Sequence, residues 1–533
     1  MAADLADLLA KVLPTGVELT VRHVSSTPTP CEALFAAAPG QVSEPTFCEN
    51  HFLTVSIDSN DGETIIFGME VMVYNTAHLT TIFISKADST GFLHLLKLPS
   101  KVSVLRLVSN TFLSFLARTR QRPGVRLVVS LFARAQNQYL FPGSIENAEK
   151  HVLDDRGLIK WWCRALDPIL REHEPESALQ ETKALDQTVE AAKASATAYL
   201  IVPSCDRFET RSFFPPTAKS DPHDHPRWLN SYPLKQLYHD PSAPPRCLVP
   251  RFPDDPKTRF LIDLDGELPE ENEGQPVLPN AGRWRSVRSL DQFWEMMSFR
   301  QECSAGRLVG FLWLVINPPG LMNSTSMESQ TRGSSDNSLV SNGTEISGAI
   351  SHEEKVENGT SKSEEKTTLT QATTNFTTAE SSLKIPQDDA STIANPFDWP
   401  EAGRGQVVLS EADYKTMMDS VLDHFYDEKE VVASTILYVD QVSSLADELT
   451  WGKKVVGSNT TSSTASQPVN ANANNVLDLG LIRKRKKSLG EGNTPIMTET
   501  QAPSKSGVTQ PAPSMPAGVN VLNASLVRKK KKT

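Results

Sequence analysis

The stretch Leu308–Ile316 (LVGFLWLVI) constrains this chain more than any other segment. Nine residues pass without a polar side chain, far short of the ~18 apolar residues that suggest a membrane span. Strands with one wet face alternate apolar and polar residues, and this one does not. It predicts a strand covered on both faces, which requires a sheet lying between layers of other elements. Further strands are predicted at Val17–Val24, Thr64–Tyr74, Leu79–Ser85, Val125–Phe132 and Ala198–Val202, where apolar runs or alternation mark extended chain.

Helical spacing appears between these strands. Leu105, Val108, Phe112 and Leu116 share one face of Val102–Leu116, and Ala148–Asp167 carries Trp161, Trp162 and Leu166. Gly157 weakens that second helix, and Pro168 should end or kink it. A weaker helix is expected at Ala184–Ala194. Ser289–Gln292 has the form of a capping box, opening a helix that runs to about Gln301. Strands interleaved with helices over 300 residues predict an α/β (α+β) domain with one central mixed sheet wrapped by helices.

Composition changes sharply along the 533 residues. Residues 321–395 are rich in Ser, Thr, Asn and Glu, with Phe376 as the sole aromatic. A segment of that kind buries too little apolar surface to offset its ordering entropy, so a disordered insert is expected. Order should return with Phe397–Trp399, a helix starting near Ser410 with Met417, Val421 and Phe425 on one face, and a second helix over Ala433–Leu449. Two helices alone make a poor core, so residues 396–455 are expected to complete the domain begun by 1–320. The tail, 456–533, is expected to be disordered. It holds two related strings, Asn475–Lys487 (NVLDLGLIRKRKK) and Asn520–Lys532 (NVLNASLVRKKKK). Basic clusters of this kind serve nuclear import or docking to an acidic partner.

Charge divides along the same boundaries. The insert holds 11 Asp/Glu against 5 Lys/Arg, the tail 3 against 11, and the whole chain is −11. The folded body is therefore acidic, which suits a basic partner. Six cysteines without a CxxC pair argue against a zinc site or disulfide framework. The first twenty residues show no basic region followed by an apolar run, so no signal peptide and an intracellular location are expected. No GxGxxG, GxxxxGK[ST] or GxSxG motif occurs, which leaves NAD binding, P-loop ATP binding and serine hydrolysis without support.

Three strings hold the residue types that chemistry on an amine requires. In FPDDPKTRF (Phe252–Phe260), Pro253 and Pro256 bracket Asp254 and Asp255 and predict a stiff, extended loop. Adjacent carboxylates repel, which can raise one toward a useful base. The same pair also reads as an acidic turn or a helix cap. Trp161 and Trp162, consecutive on a helix, point about 100° apart. One can be core while the other offers its face to a lysine ammonium, or both can be core. Tyr139, in QYLFPGS (Gln138–Ser144), is a donor to a carbonyl or carboxylate, or a packing residue. Lys86–Ser89 is expected as a loop at a strand end, a common ligand position.

These strings, with LFARAQNQYLFPGS, KHVL, KWW and SKADSTG, closely resemble a fungal family of histone H3 lysine acetyltransferases. The resemblance covers residues 1–320 and 396–455, and the basic string Asn520–Lys532 has its parallel too. It implies the fold of the CREB-binding-protein type acetyltransferases and a requirement for acetyl-coenzyme A, with no metal. By resemblance, Ala87, Asp88, Ser89, Lys101, Val102, Ser103 and Val104 would contact the cofactor. Phe132, His151, Val152, Leu153 and Trp161 would complete its groove. Tyr139, Trp162, Asp254 and Asp255 would surround the substrate lysine, with Asp255 accepting its proton, and Lys257 would itself be acetylated. Implied partners are histone H3–H4 and two histone chaperones, one of the nucleosome-assembly-protein family and one an H3–H4 escort. The implied location is the nucleus, with no membrane or sequence-specific nucleic-acid contact. The alternative is an adaptor that bridges histones and chaperone without catalysis. The chain departs from the family in its short arginine-rich connection (Arg118–Arg126), its long insert and its duplicated basic string.

Overall fold

The computed structural model describes residues 4–460 apart from 97, 99–101, 177–192, 239, 269–281, 305, 320 and 322–394. Eleven strands among these residues join one mixed sheet. They are β1 (Glu18–Ser26), β2 (Thr29–Cys31), β3 (Thr46–Ser59), β4 (Gly62–Asn75), β5 (Leu79–Ser89), β6 (Arg126–Ala133), β7 (Ser195–Ile201), β8 (Trp228–Leu229), β9 (Gly310–Asn317), β10 (Val407–Leu409) and β11 (Lys453–Val456). The spatial order is β10-β1-β3-β4-β5-β6-β9-β7-β8, with β11 also on β1 and β2 on β3. The helices are α1 (Leu5–Val12), α2 (Val104–Arg120), α3 (Asp155–Arg171), α4 (Arg207–Arg211), α5 (Leu234–Leu237), α6 (Pro256–Asp265), α7 (Leu290–Met297), α8 (Glu411–Asp423) and α9 (Val431–Ala446).

The apolar run behaves as its composition requires. All eight residues of β9 are buried. Leu312, Leu314 and Ile316 pack into the core shared with α1, α2 and α3. Phe311, Trp313 and Val315 pack on the opposite face with Phe260 of α6 and Phe293 and Trp294 of α7. Toward the β1 edge that second face is covered by α8 and α9, through Tyr414, Met417, Val421 and Tyr438 against Val24, Phe52 and Ile65. The sheet is thus a central layer wrapped by helices.

The chain after residue 394 packs on the first strand of the sheet. β10 pairs with β1 in parallel and β11 antiparallel. Pairing runs past the expected boundary at 455, since Gly457, Ser458 and Asn459 donate backbone hydrogen bonds to Val17, Ala10 and Leu13. The two basic strings and most of the weak helix expected at Ala184–Ala194 lie outside the described residues.

Several local expectations change for physical reasons. β3 is not among the expected strands, although Leu53, Val55 and Ile57 alternate with Thr54 and Ser56; its polar residues Glu49, His51, Thr54 and Ser56 are all buried. Internal partners meet several of these groups: Arg120 pairs with Glu49, His23 meets His51 at 3.0 Å, and Arg22 donates to Ser56. The helix expected from Ala148 starts only at Asp155, where Asp154 caps it by accepting from Gly157 N at 2.6 Å. It runs through Pro168 to Arg171. Phe425 falls beyond the end of α8 and is 60% exposed instead of joining its apolar face.

Candidate active site

A split in the sheet organises the site. β5 and β6 are parallel neighbours, but their pairing ends at Ile84↔Leu131. β5 continues on β4 alone, through Lys86, Ala87, Asp88 and Ser89, after a register shift between Glu70 and Val71. β6 continues on β9 as far as Ala133↔Gly310. The sequence Lys86–Ser89, expected as a loop, is therefore the free-edged end of a strand. The bulge re-aims it away from β6 and opens a gap between two strand edges that no longer pair with each other.

Helix α3 roofs this gap. A Cβ at Gly310 would lie 2.8 Å from Ile159, so glycine lets the helix approach β9 closely. Leu158 and Trp162 then line a narrow inner cleft with Ile84, Ser85, Lys86, Ala87, Leu131, Phe132, Arg134 and Tyr139. The cleft opens outward into a groove lined by Phe67, Ala87, Asp88, Ser89, Leu105, Tyr139, Lys150, His151, Val152, Leu153, Trp161 and Trp162, with Ala135–Asn137 at its rim. The two indoles meet edge to face, centroids 4.9 Å apart. Trp162 is buried, whereas Trp161 is partly open to the groove.

Asp88 fixes the loop that carries Tyr139. Its carboxylate accepts from the backbone N–H of Tyr139 at 2.6 Å and Leu140 at 3.0 Å, and from Lys150 Nζ at 2.9 Å. Burial pushes the Lys150 amine below its ordinary value, against the pull of Asp88. Tyr139 donates its hydroxyl to the Arg134 carbonyl, and burial raises that phenol. Phe141 sits directly over Gly68 of β4, where a Cβ would come within 2.7 Å of its ring. The loop is thus anchored from both sides.

The string Phe252–Phe260 is not a plain extended loop. Pro256 is the first residue of α6 and Asp255 its N-cap, accepting from Lys257 N at 2.8 Å. Proline is well suited to that first position, so the bracketing prolines set a helix start. The two aspartates also do not face each other as a repelling pair. Asp254, with φ +58°, turns away and meets Lys86 at 3.2 Å. Asp255 pairs with Lys257, and both side chains are only 1% exposed. The Lys257 ammonium lies 4.4 Å from the Phe311 ring centre, and burial lowers its pKa despite Asp255. Phe252 stacks on Phe83 at 4.1 Å, tying the string to β5.

Lys86 joins this string to the inner cleft. It also pairs with Glu70 at 3.0 Å. Burial opposes its charge, but Glu70 and Asp254 outweigh that and hold it above the ordinary lysine value.

The geometry thus gathers Ala87, Asp88, Ser89, Tyr139, His151, Val152, Leu153, Trp161 and Trp162 around one groove, with Phe132 deeper in. Val104 is fully buried in the core behind it. Val102 and Ser103 precede α2 outside the lining, and Lys101 lies outside the described residues. Asp255 is likewise not in the lining; its neighbour Asp254 reaches the cleft only through Lys86. Sequence reasoning missed Phe67, Leu105, Lys150 and Leu158 of the groove and Ser85 and Arg134 of the cleft. Lys150 could have been found from KHVL, since a lysine opening that string needs a nearby acid if buried.

Residues 5–442 match the histone acetyltransferase KAT11-type domain. The histone acetyltransferase rtt109 of Aspergillus flavus is 57% identical over 570 residues, covering 99% of both chains. The histone acetyltransferase rtt109 of Schizosaccharomyces pombe is 31% identical over 58% of this chain and 70% of its own. The crystal structure of Rtt109 from Aspergillus fumigatus superposes with a TM-score of 0.70 at 57% identity, covering 86% of this chain and all of that one. The chain belongs to the KAT11-type histone acetyltransferases, enzymes that acetylate protein lysines.

Proposed function

We propose that this enzyme acetylates a lysine of histone H3 within H3–H4, taking the acetyl group from acetyl-coenzyme A bound in the split between β5 and β6. The separated edges beyond Ile84 and Leu131 carry the reading. An extended, amide-bearing arm can lie along such an edge as an added strand would. Ala87, Phe132 and Trp162 give that arm its walls; Ser89, His151, Val152, Leu153 and Trp161 line the wider groove for the remainder.

The lysine amine must lose a proton before it can attack. Its nitrogen then bonds to the acetyl carbon as the carbon–sulfur bond breaks, and the second proton shed by that nitrogen neutralises the departing thiolate, so that coenzyme A leaves as the thiol. Tyr139 and Trp162 would hold the lysine stem in attack geometry. Asp254 and Asp255 are the proton acceptors proposed, Asp255 first. Its Oδ2 is engaged by Lys257, so it would accept a proton once Lys257 is neutralised, and acetylation of Lys257 does that while the N-cap bond to Oδ1 stays in place.

The acidic body suits a histone partner, and the basic strings suit nuclear entry and an acidic histone chaperone, of the nucleosome-assembly-protein family or the H3–H4 escort type. A role in replication-coupled chromatin assembly and the DNA-damage response belongs to the same reading.

Incubating the full chain with labelled acetyl-coenzyme A and H3–H4, then mapping the label, tests this directly. Label on H3 is expected. Label on H4 alone would overturn the substrate reading. Deleting Leu481–Lys487 with Leu526–Lys532 should weaken chaperone binding or nuclear accumulation; full retention of both would free the repeats of either role.

A further inference from the structure

The loop that presents Tyr139 to the groove has an outer side that no step of the chemistry uses. There Phe425 packs on Gly143, where an added Cβ would come within 2.9 Å of its ring. Phe425 is nevertheless 60% exposed, and Ile145 and Leu422, on the two segments that meet here, are 40% and 38% exposed. The arrangement is held in place from beneath. Tyr426 N donates to the Pro142 carbonyl at 2.7 Å, Asn147 Nδ2 to the Tyr426 carbonyl at 2.8 Å, and Ser434 Oγ to the Phe425 carbonyl at 2.6 Å. The Phe141 and Tyr426 rings meet at 4.8 Å. Exposed apolar side chains on so firmly tied a frame mark a surface built for contact.

The charges nearby choose the partner. Glu146 and Glu149 follow Ile145, and Asp423 and Glu428 flank Phe425; all four are exposed. Lys429 is the exposed cation among residues 143–149 and 419–430, because Lys150 is already committed to Asp88. An acidic rim around an apolar centre favours a basic protein with apolar side chains among its cations and repels an acidic chaperone or nucleic acid. We infer that Ile145, Leu422 and Phe425, with their acidic rim, form a docking surface for the folded part of the histone substrate. This rests on the reading that H3–H4 is that substrate. Docking here would hold the histone next to the tyrosine loop while its target lysine enters the groove, and would contribute to KM for the histone without altering the transfer step.

Steady-state kinetics of the full chain on H3–H4 test the inference with two variants, Phe425→Ser and the double charge reversal Glu146→Lys/Glu428→Lys. Each should raise KM for H3–H4 about tenfold, with kcat and KM for acetyl-coenzyme A within about twofold of the wild type, as expected for loss of binding shared by ground and transition states. The charge reversal should also flatten the salt dependence of that KM. The charge variant replaces only exposed groups, so it stands if Phe425→Ser proves unstable. Unchanged KM in the charge variant, or a fall in kcat with KM unchanged, would overturn the docking surface. A wild type inactive on H3–H4 would instead remove the partner, which is a different failure.

Discussion

Asp255 and Lys257 form an ion pair in which each side chain is only 1% exposed. The carboxylate also caps α6, and the ammonium lies against Phe311. The pair therefore couples a candidate proton acceptor to the folding of the helix that follows it.

Removing one partner should cost much more than removing both. Asp255→Asn keeps a capping side chain but strands a buried ammonium, and is expected to lower stability by about 3 kcal/mol. Lys257→Met should cost a similar amount. The double variant should recover most of the loss, as read from urea midpoints. Activity of Asp255→Asn is to be compared at a temperature where the variant remains folded. Under that condition a fall in kcat of more than about tenfold is expected for loss of a general base.

Asp88→Ala should injure stability and cofactor binding together. The substitution leaves Lys150 buried without its acid and frees the amides of Tyr139 and Leu140. A loss of about 3 kcal/mol in denaturation is expected, with a weaker acetyl-coenzyme A affinity by calorimetry. Unaltered affinity would mean that the tyrosine loop keeps its shape without this anchor.

Gly68→Ala should act chiefly through Phe141. The new methyl group meets the ring at 2.7 Å, and overpacking of this kind costs about 1–3 kcal/mol. Phe141→Leu in the same chain should relieve part of it. Additive losses in the melting curves would show that the two sites are uncoupled.

Acidification should loosen the contact between β1, β3 and the chain after residue 394. Burial, with Arg120 nearby, holds His23 and His51 below the ordinary imidazole value. Unfolding lets them take up protons, so stability should fall as pH drops below about 6.5, by at most about 1.4 kcal/mol per pH unit for each histidine. Burial would raise Glu49, but His51 and Arg120 bring it down to about 2. Its share of stability is present above the ordinary carboxylate value of about 4.5 and is lost only between there and about pH 2. His23→Gln should flatten the slope between pH 7 and 5.5 in thermal melts and leave the lower limb in place.

The sequence announces the sheet where both faces are dry. Alternate residues of β9 serve two cores, so the run carries no polar interruption to misread. β3 is less plain: among its buried apolar residues stand Glu49 and His51, whose partners lie 28 to 71 positions away. The start of α6 reads two ways in sequence, as proline-stiffened extended chain or as a helix cap, and Asp255 takes the second. Around the groove, the marked strings come together because β5 ends beside the tyrosine loop and the start of α3. Leu105 and Leu158 carry no mark, since a groove-lining leucine and a core leucine look alike in sequence. Which lysine each aspartate takes depends on a backbone turn at Asp254 that composition does not encode.

The return of the chain onto β1 has a consequence for what a cut would do. Trp399 donates to Glu49 at 2.6 Å, Arg120 reaches the Ala402 carbonyl at 2.7 Å, and β10 and β11 both pair with β1. None of these bonds depends on a covalent path from Leu321 to Asn395. A protease nick anywhere along that path should yield two fragments that copurify and refold as partners. The peptide connecting them would then be free to lengthen or shorten over evolutionary time at little thermodynamic penalty, because closure entropy grows only slowly with loop length.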